Sequence, residues 1–283
     1  MRTSLLSAAL AAILATGAAT AQATELRLSH QWSNKDVRHQ VAQIIADEVA
    51  AADVDLEIKI FGSKSLFKPR EQYKPLSRGQ LDMTVLPLSY AGGQQPAYNL
   101  TLMPGLVKNH DHAARLSESP FMEALEAKMA DDDVMVLVHG YLAGGFVGKD
   151  KCITKPEDVA GQQTRAAGKA FEQMLAGAGA SIASMASSEI YNAMQTGVLT
   201  AANTSSSSFV SYRIYEQVKC YTPARLSPRT KMLYRRGTMP SVPRESKAAL
   251  SQAGDRKQND NNSLINDWVA GLGESCSTAT PKP

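Results

Sequence analysis

The chain has 283 residues, of which 43% are hydrophobic and 20% are charged, a balance typical of globular proteins rather than of disordered or fibrous ones. Its formal net charge is +3, from 30 basic and 27 acidic residues, and no concentrated basic stripe indicates nucleic-acid binding. After the N-terminus, no apolar run reaches the length of about 18 residues that a transmembrane helix needs.

Residues 1–23 have the three parts of a secretory signal peptide. Arg2 supplies the positive charge, residues 5–15 form an apolar core, and the segment Ala21-Gln22-Ala23 provides a cleavage site of small residues. A short buried helix is the alternative interpretation. The three features in this order predict cleavage before Thr24 and a periplasmic location for the mature protein.

Three cysteines remain outside the predicted signal, namely Cys152, Cys220 and Cys276. An oxidising compartment permits disulfides. Cys152 and Cys220 lie in short β-prone segments, so we expect a bridge between them, whereas Cys276 lies in a polar tail and is expected to be unpaired. A zinc site is the alternative, but neither a CxxC nor an HxxxH spacing supports it.

The first half of the mature chain alternates between strand and helix patterns. Predicted strands cover residues 25–28, 56–60 and 81–86, and predicted helices start after a capping-box-like Ser33-x-x-Asp36 and near residue 70. This β-α-β-α-β order favours a sheet with parallel neighbours. Residues 87–112 are rich in Gly, Pro and Tyr and are predicted to form a loop beyond the strand ends, where α/β proteins bind ligands.

The second half repeats the alternation. The patterns predict, in chain order, a helix over 119–129, a strand over 134–138, an extended segment over 163–166, helices over 169–176 and 188–196, a strand over 198–203 and a polar turn over 205–208. We therefore predict two α/β lobes with a ligand cleft between them. The lobes cover residues 24–140 and 141–222. Residues 223–283 lose the apolar periodicity and are predicted to form a separate, partly disordered C-terminal segment, which is called the divergent segment below.

Several motifs carry a resemblance to a known family. They are G-x-x-x-R at residues 161–165, Gly-Ala at 179–180, S-E-x-Y-x-A-x-Q-x-G at 188–197, Y-E-x-x-K at 215–219, and G-x-x-D and L-x-P elements at 79–82 and 102–104. In this order they resemble the extracytoplasmic solute-binding subunits of TRAP transporters, the DctP type, over about residues 25–222. The resemblance implies a fold of periplasmic-binding-protein type, with two α/β lobes joined by hinge strands. Only about sixty residues follow, which implies a shortened or divergent C-terminus relative to that family.

The resemblance implies that Arg165 binds the carboxylate of the ligand, because a guanidinium offers a planar fork that matches a carboxylate. The alternative is a surface arginine paired with Glu157 or Asp158. The spacing to the motif at Tyr215 also implies that Asn203 or Thr204 contacts the ligand. Neighbouring strand residues face opposite sides of a sheet, so the choice between the two stays open. Ser205 begins a serine run that offers hydroxyl donors or forms a plain turn.

Five further residues are candidates because of their positions. Gln31 and Trp32 lie where the family contacts its ligand, and Ser89 and Tyr90 follow the strand predicted over residues 81–86. The fifth is Phe146. Phe146 lies where some relatives carry a second arginine, so the site is expected to be less cationic here. A monocarboxylate with an aromatic or apolar tail is then as compatible as a dicarboxylate. The aromatic residues of this set could equally belong to the core.

Taken together, these features predict a periplasmic solute-binding protein that captures an organic acid and delivers it to the membrane permease subunits of a TRAP transporter. No cofactor, metal or catalytic residue is implied, because no triad, P-loop or metal-ligand spacing is present. Two alternatives stay open, a secreted hydrolase with an unrecognised site and a truncated remnant that no longer binds a ligand.

Overall fold

The computed structural model describes residues 23–224 and 229–235 of the chain. The predicted signal peptide, Cys276 and the C-terminal tail lie outside these residues. The described strands, in chain order, are β1 Thr24–Ser29, β2 Leu56–Phe61, β3 Met83–Leu86, β4 Val134–Tyr141, β5 Gly144–Gly148, β6 Gln163–Ala166, β7 Ser181–Ser184, β8 Ala201–Ser205, β9 Cys220–Ala224 and β10 Arg229–Arg235.

Helices connect most of these strands. The α-helices are α1 Val37–Ala51, α2 Tyr73–Ser77, α3 His110–Ser117, α4 Pro120–Asp131, α5 Lys169–Gly177, α6 Ile190–Gln195 and α7 Ser206–Ser211. Short 3₁₀ helices cover Leu88–Ala91, Pro96–Leu102, Pro156–Val159, Ser187–Glu189 and Ile214–Glu216. Within the described part of the chain, no helix is both long enough and apolar enough to cross a bilayer.

The first lobe is built on a five-stranded sheet in the order β2-β1-β3-β10-β4. Strand β1 is parallel to β2 and β3, as the βαβ pattern of the sequence predicts, whereas β10 is antiparallel to β3 and β4. Strand β10 lies within the divergent segment, so that segment contributes a strand to the first lobe. Helix α1 packs on this sheet through an apolar stripe that includes Val41, Ile45 and Val49.

The second lobe is built on a five-stranded sheet in the order β7-β6-β8-β5-β9. Strands β6, β7 and β8 are parallel, and β5 is antiparallel to β8 and β9. Cys152 and Cys220 form a disulfide with their Cα atoms 5.1 Å apart. The chain therefore forms two α/β lobes, each with its own sheet and apolar core.

Within the described part of the chain, two pairs of successive strands belong to different lobes. They are β4 and β5, which Leu142 and Ala143 connect, and β9 and β10. Strand β4 pairs with β10, and β5 pairs with β9, so the strands that leave one lobe are neighbours and so are those that enter the other. Paired strands that cross between lobes at one edge are a natural hinge, because the φ and ψ changes fall on a few residues at the strand ends.

Some predicted elements shift in the structure. The helix predicted near residue 70 contracts to α2, and the loop predicted over residues 87–112 contains two 3₁₀ helices and the start of α3. The N-terminal cap of α1 is Asp36 rather than Ser33, because the Asp36 side chain accepts a hydrogen bond from the backbone N–H of Arg38. The polar turn predicted over 205–208 is wrong, since Ser205 caps helix α7.

Candidate functional site

A small cavity lies between the two lobes and has a volume of about 30 Å³. Residues from both lobes line it: Arg38, Pro87, Tyr90, Leu102, Leu142, Arg165, Ala167, Ser187, Asn203, Thr204, Ser205 and Ser208. The C-terminal ends of strands β6 and β8 reach this cavity, as expected for a ligand site of an α/β protein.

Arg165 projects from β6 and is only 2% exposed. Its guanidinium donates three hydrogen bonds, at 2.9 Å to the Met185 carbonyl, 2.6 Å to the Asn203 carbonyl and 3.0 Å to the Tyr90 hydroxyl. All three acceptors are uncharged. Among the described residues, no carboxylate oxygen lies within 4.0 Å of this guanidinium.

The alternative of a surface Arg165 paired with Glu157 or Asp158 is therefore wrong. Asp158 instead accepts hydrogen bonds from Thr154 and from the backbone N–H of Lys155. Burial lowers the pKa of the Arg165 guanidinium below its ordinary value, although an arginine keeps its charge at neutral pH. The cavity thus holds a buried positive charge that forms no ion pair within 4.0 Å among these residues.

Tyr90 connects the two lobes at this point. Its hydroxyl accepts hydrogen bonds from Arg165 and from the backbone N–H of Ser187, both at 3.0 Å. Burial by itself would raise the pKa of the Tyr90 phenol, but the charge of Arg165 and the Ser187 N–H favour the phenolate and leave that pKa below its ordinary value. The guanidinium of Arg70 lies 4.9 Å from the centre of the Tyr90 ring.

A second arginine, Arg38, reaches the cavity from helix α1. Its Nε and Nη2 donate to the two carboxylate oxygens of Asp36 at 2.7 and 2.6 Å, and its carbon Cζ lies 4.1 Å from the centre of the Trp32 ring. The same guanidinium donates across the lobe boundary to the hydroxyls of Ser208 at 3.0 Å and Ser205 at 3.5 Å. Arg38 therefore contacts both lobes.

The end of strand β8 supplies polar groups from both of its faces. Asn203 donates one of its two side-chain N–H groups to the Gly145 carbonyl at 3.3 Å. The buried hydroxyl of Thr204 has no hydrogen-bond partner within the part of the chain that the structure describes. Both residues line the cavity, so the choice between them as the ligand contact stays open.

The chain matches a family model described as bacterial extracellular solute-binding protein, family 7, over residues 28–277. The chain belongs to this family. The motifs noted in the sequence end by residue 219, whereas the family match continues beyond them into the divergent segment.

Curated relatives agree with this assignment. A solute-binding protein of Albidiferax ferrireducens is 35% identical over 213 residues, which cover 73% of this chain and 63% of the relative. A solute-binding protein of Sulfitobacter is 26% identical over 217 residues, covering 75% of this chain and 64% of the relative. The matched part of the chain thus spans less than two thirds of the length of these relatives.

Solved structures share the fold. A TRAP periplasmic solute-binding protein from Rhodoferax ferrireducens with bound malonate has a TM-score of 0.85 at 28% identity, over 91% of this chain and 84% of that one. DctP7, a Bordetella pertussis extracytoplasmic receptor that binds pyroglutamic acid, has a TM-score of 0.85 at 21% identity, over 92% and 87% of the two chains.

Of the residues that the sequence singled out, Tyr90, Arg165, Asn203, Thr204 and Ser205 line the cavity of this family member. Four others do not. Gln31 and Trp32 are two of these, and the Trp32 ring packs in the apolar core of the first lobe beneath Arg38. Their contact with a ligand stays a prediction.

Gln31 and Ser89 make hydrogen bonds between the two lobes. The backbone carbonyl of Gln31 accepts a hydrogen bond from the Tyr212 hydroxyl at 3.1 Å. Ser89 donates to the Ala167 carbonyl at 3.3 Å, and its side chain lies so close to Gly168 that a Cβ there would be 2.9 Å from the Cβ of Ser89. Gln31 and Ser89 therefore hold the lobes together rather than line the cavity.

Phe146 lies elsewhere in the second lobe. It faces a separate cavity of about 310 Å³ and packs against the apolar cluster that contains Val159 and Leu175. The antiparallel register places Phe146 opposite Asn203 and Thr222, with its ring on the face covered by that cluster. Phe146 therefore does not line the cavity between the lobes, and its contact with a ligand stays a prediction.

The sequence analysis missed Arg38 and Ser187 as cavity residues, whereas Ser208 belongs to the serine run that it offered as hydroxyl donors. A signal for Arg38 was present, because it occupies the same helical stripe as Val41 and Ile45, where a charged residue is unusual. Ser187 gave no such signal, since its position depends on how the two lobes meet.

Proposed function

We propose that this chain captures an organic acid between its two lobes and presents it to the membrane permease subunits of a TRAP-type transporter. The observation that carries this proposal is the buried guanidinium of Arg165, which donates only to neutral oxygens. A buried charge without a counter-charge is costly, and a ligand carboxylate would supply the missing one.

The chemistry around Arg165 supports a carboxylate over other anions of similar size. Three of its five N–H groups are used within the protein, which leaves two for a ligand. Two N–H groups suit the two oxygens of a carboxylate. The free Thr204 hydroxyl can add a further hydrogen bond to the same ligand.

Ligand entry requires the lobes to separate. A cavity of about 30 Å³ has room for a water molecule but not for an organic acid. The paired crossings from β4 to β5 and from β9 to β10 allow such a movement. Opening would expose Arg165 to solvent, and closing around a carboxylate would remove both charges from water together.

We infer that the protein works in the periplasm, where the predicted signal peptide would direct it, and that it releases its ligand unchanged. The first inference agrees with membership of an extracellular solute-binding family. Malonate, which the Rhodoferax protein holds, and pyroglutamic acid, which DctP7 binds, are both carboxylic acids and provide the first probes for this chain.

The test is calorimetric titration of the full chain, expressed with its own leader and purified from the periplasm, against malonate, pyroglutamate and hexuronates. Arg165→Ala should weaken binding of the acid that titrates by at least about 100-fold, because it removes two charge-assisted hydrogen bonds worth about 1.5–3 kcal/mol each. Arg165→Lys should give an intermediate loss, since an ammonium cannot reproduce the fork.

Arg115→Ala, which removes an exposed arginine of helix α3, is the matched control and should bind as the wild type does. A folded Arg165→Ala protein with wild-type affinity would show that Arg165 is not the anchor. Failure of every acid to bind the wild type would contradict the proposed function itself.

A further inference from the structure

The two cavity arginines differ in their charge partners. Arg38 and Asp36 are almost completely buried and form a two-point ion pair, with Nε–Oδ1 and Nη2–Oδ2 distances of 2.7 and 2.6 Å. The Asp36 carboxylate also caps helix α1 by accepting the backbone N–H of Arg38 at 2.9 Å. Asp36 is therefore fixed by the helix and by the guanidinium together.

Burial would raise the pKa of the Asp36 carboxyl, but the charge and hydrogen bonds of Arg38 hold that pKa below its ordinary value. The Arg38–Asp36 pair is thus ionised on both sides and adds no net charge to the cavity. Arg70 and Glu189 also act on Arg165, with opposite signs. Of the two arginines that line the cavity, Arg38 has a carboxylate partner and Arg165 has none within 4.0 Å among the described residues.

Most N–H groups of the Arg38 guanidinium already donate to acceptors within the protein. Nε and one N–H of Nη2 bind Asp36, the second N–H of Nη2 binds Ser208, and one N–H of Nη1 lies 3.5 Å from Ser205. At most two N–H groups on Nη1 remain, and they belong to a single nitrogen. A single nitrogen can donate to a hydroxyl or amide oxygen of a ligand but cannot form the two-nitrogen grip that favours a carboxylate.

We propose that Asp36 sets the charge selectivity of this site, so that the ligand carries one carboxylate, bound by Arg165, and presents a neutral hydroxyl or amide oxygen to Arg38. This inference rests on the proposed function and names the class of acid. A second carboxylate at Arg38 would meet a guanidinium that Asp36 already neutralises, and it would be repelled by that buried carboxylate.

The test compares pairs of acids of matched shape that differ by one charge, namely malonamate against malonate and succinamate against succinate, by calorimetry at pH 7.5. Malonate is the most informative diacid to test, because the Rhodoferax protein was solved with malonate bound. For the wild type, we expect the singly charged acid of the pair that binds to be favoured by at least about tenfold, which is about 1.4 kcal/mol.

Asp36→Asn keeps a helix-capping side chain but removes the negative charge. We expect the ratio of the two affinities to move by at least about tenfold towards the diacid, because Arg38 becomes an available cation. Asp47→Asn makes the same charge change on an exposed position of the same helix and should leave the ratio unchanged. A purely structural loss in Asp36→Asn would weaken both acids equally and would not move the ratio.

Wild-type protein that binds the diacid as tightly as its singly charged partner would overturn the inference, and so would an unchanged ratio in folded Asp36→Asn. If Asp36→Asn does not fold, the wild-type ratio alone decides. Binding of no acid by the wild type would instead refute the proposed function, so the two failures are distinguishable.

Discussion

The hydroxyl of Tyr90 offers a single-atom test of how the lobes are held around the cavity. It accepts one hydrogen bond from the charged Arg165 and one from the backbone N–H of Ser187, and both donors belong to the second lobe. Tyr90→Phe removes this oxygen and keeps the ring that packs in the first-lobe core and faces Arg70. The substitution therefore removes two contacts between lobes while changing little within the first lobe.

The free energy that the Tyr90 hydroxyl contributes to closure can be worked out from its two hydrogen-bond donors. A hydrogen bond from a charged group contributes about 1.5–3 kcal/mol and a neutral one about 0.5–1.5 kcal/mol, so together they favour the closed form by about 2–4 kcal/mol. Water replaces Tyr90 as acceptor once the lobes separate, so this loss falls on closure rather than on the folding of each lobe. If ligand affinity depends on closure, Tyr90→Phe should weaken it by about 30- to 1,000-fold.

The assay is calorimetric titration of wild-type and Tyr90→Phe protein with the acid that binds, together with a thermal melt of each ligand-free protein. Tyr191→Phe is the control, because its hydroxyl donates to Glu216 on the outside of the second lobe. It should bind as the wild type does. Affinity of Tyr90→Phe within twofold of the wild type would refute the reasoning, since it would mean that Tyr90 and its donors do not stabilise the ligand-bound form.

Two further predictions concern stability. Replacing Cys152 and Cys220 by alanine should lower the unfolding free energy by about 4 kcal/mol, because their disulfide closes a loop with a sequence separation of 68, and denaturant titration with and without reductant measures this loss. Burial, and next the neighbouring His39, lower the pKa of His30 from 6.5 to about 4, so between these pH values the unfolded chain binds a proton that the folded chain does not. The unfolding free energy should therefore fall when the pH is lowered from 7 to 4.5. The fall should be about 2–3 kcal/mol larger in the wild type than in His30→Gln. Equal falls in the two proteins would contradict this assignment.

The strands flanked by clear local signals were predictable from the sequence. Strand β6 covers the predicted residues, because Gly161 takes a positive φ of 73° in the turn before it and Gly168 follows it. Strand β8 lies about three residues beyond its predicted position. Val198 and Leu199 suggested the strand, but Val198 is exposed, and the true strand consists of small residues that pack beside Arg165.

Other elements exist only because of their partners. Strand β5 is rich in glycine and has little strand propensity, yet it pairs with β8 on one side and β9 on the other. Strand β10 carries three basic residues among seven and is held between β3 and β4. Helix α7 begins with three serines, which favour helix caps over interiors, so its stability comes from tertiary contacts. Local patterns cannot reveal such elements.

The cavity residues also divide into those with a local sequence signal and those whose role depends on distant partners. Arg165 could be identified because a motif surrounds it, and Tyr90 because it follows a strand end. Arg38 belongs to a helix whose apolar stripe had already been recognised, but its partners across the lobe boundary are Ser205 and Ser208, about 170 residues away. Only the docking of the lobes brings them together, and no spacing in the sequence encodes that distance.

The different surroundings of the two arginines separate two roles that a single arginine could not combine. Arg38 has its counter-charge two residues away in Asp36, so its charge is compensated whether the lobes are open or closed, and it can link the lobes without a ligand. Arg165 finds only neutral acceptors when the lobes close, so closing without a ligand leaves its charge desolvated and uncompensated. A carboxylate removes that cost and thereby shifts the balance towards the closed form, which is how binding of a small acid at one point can determine the arrangement of both lobes.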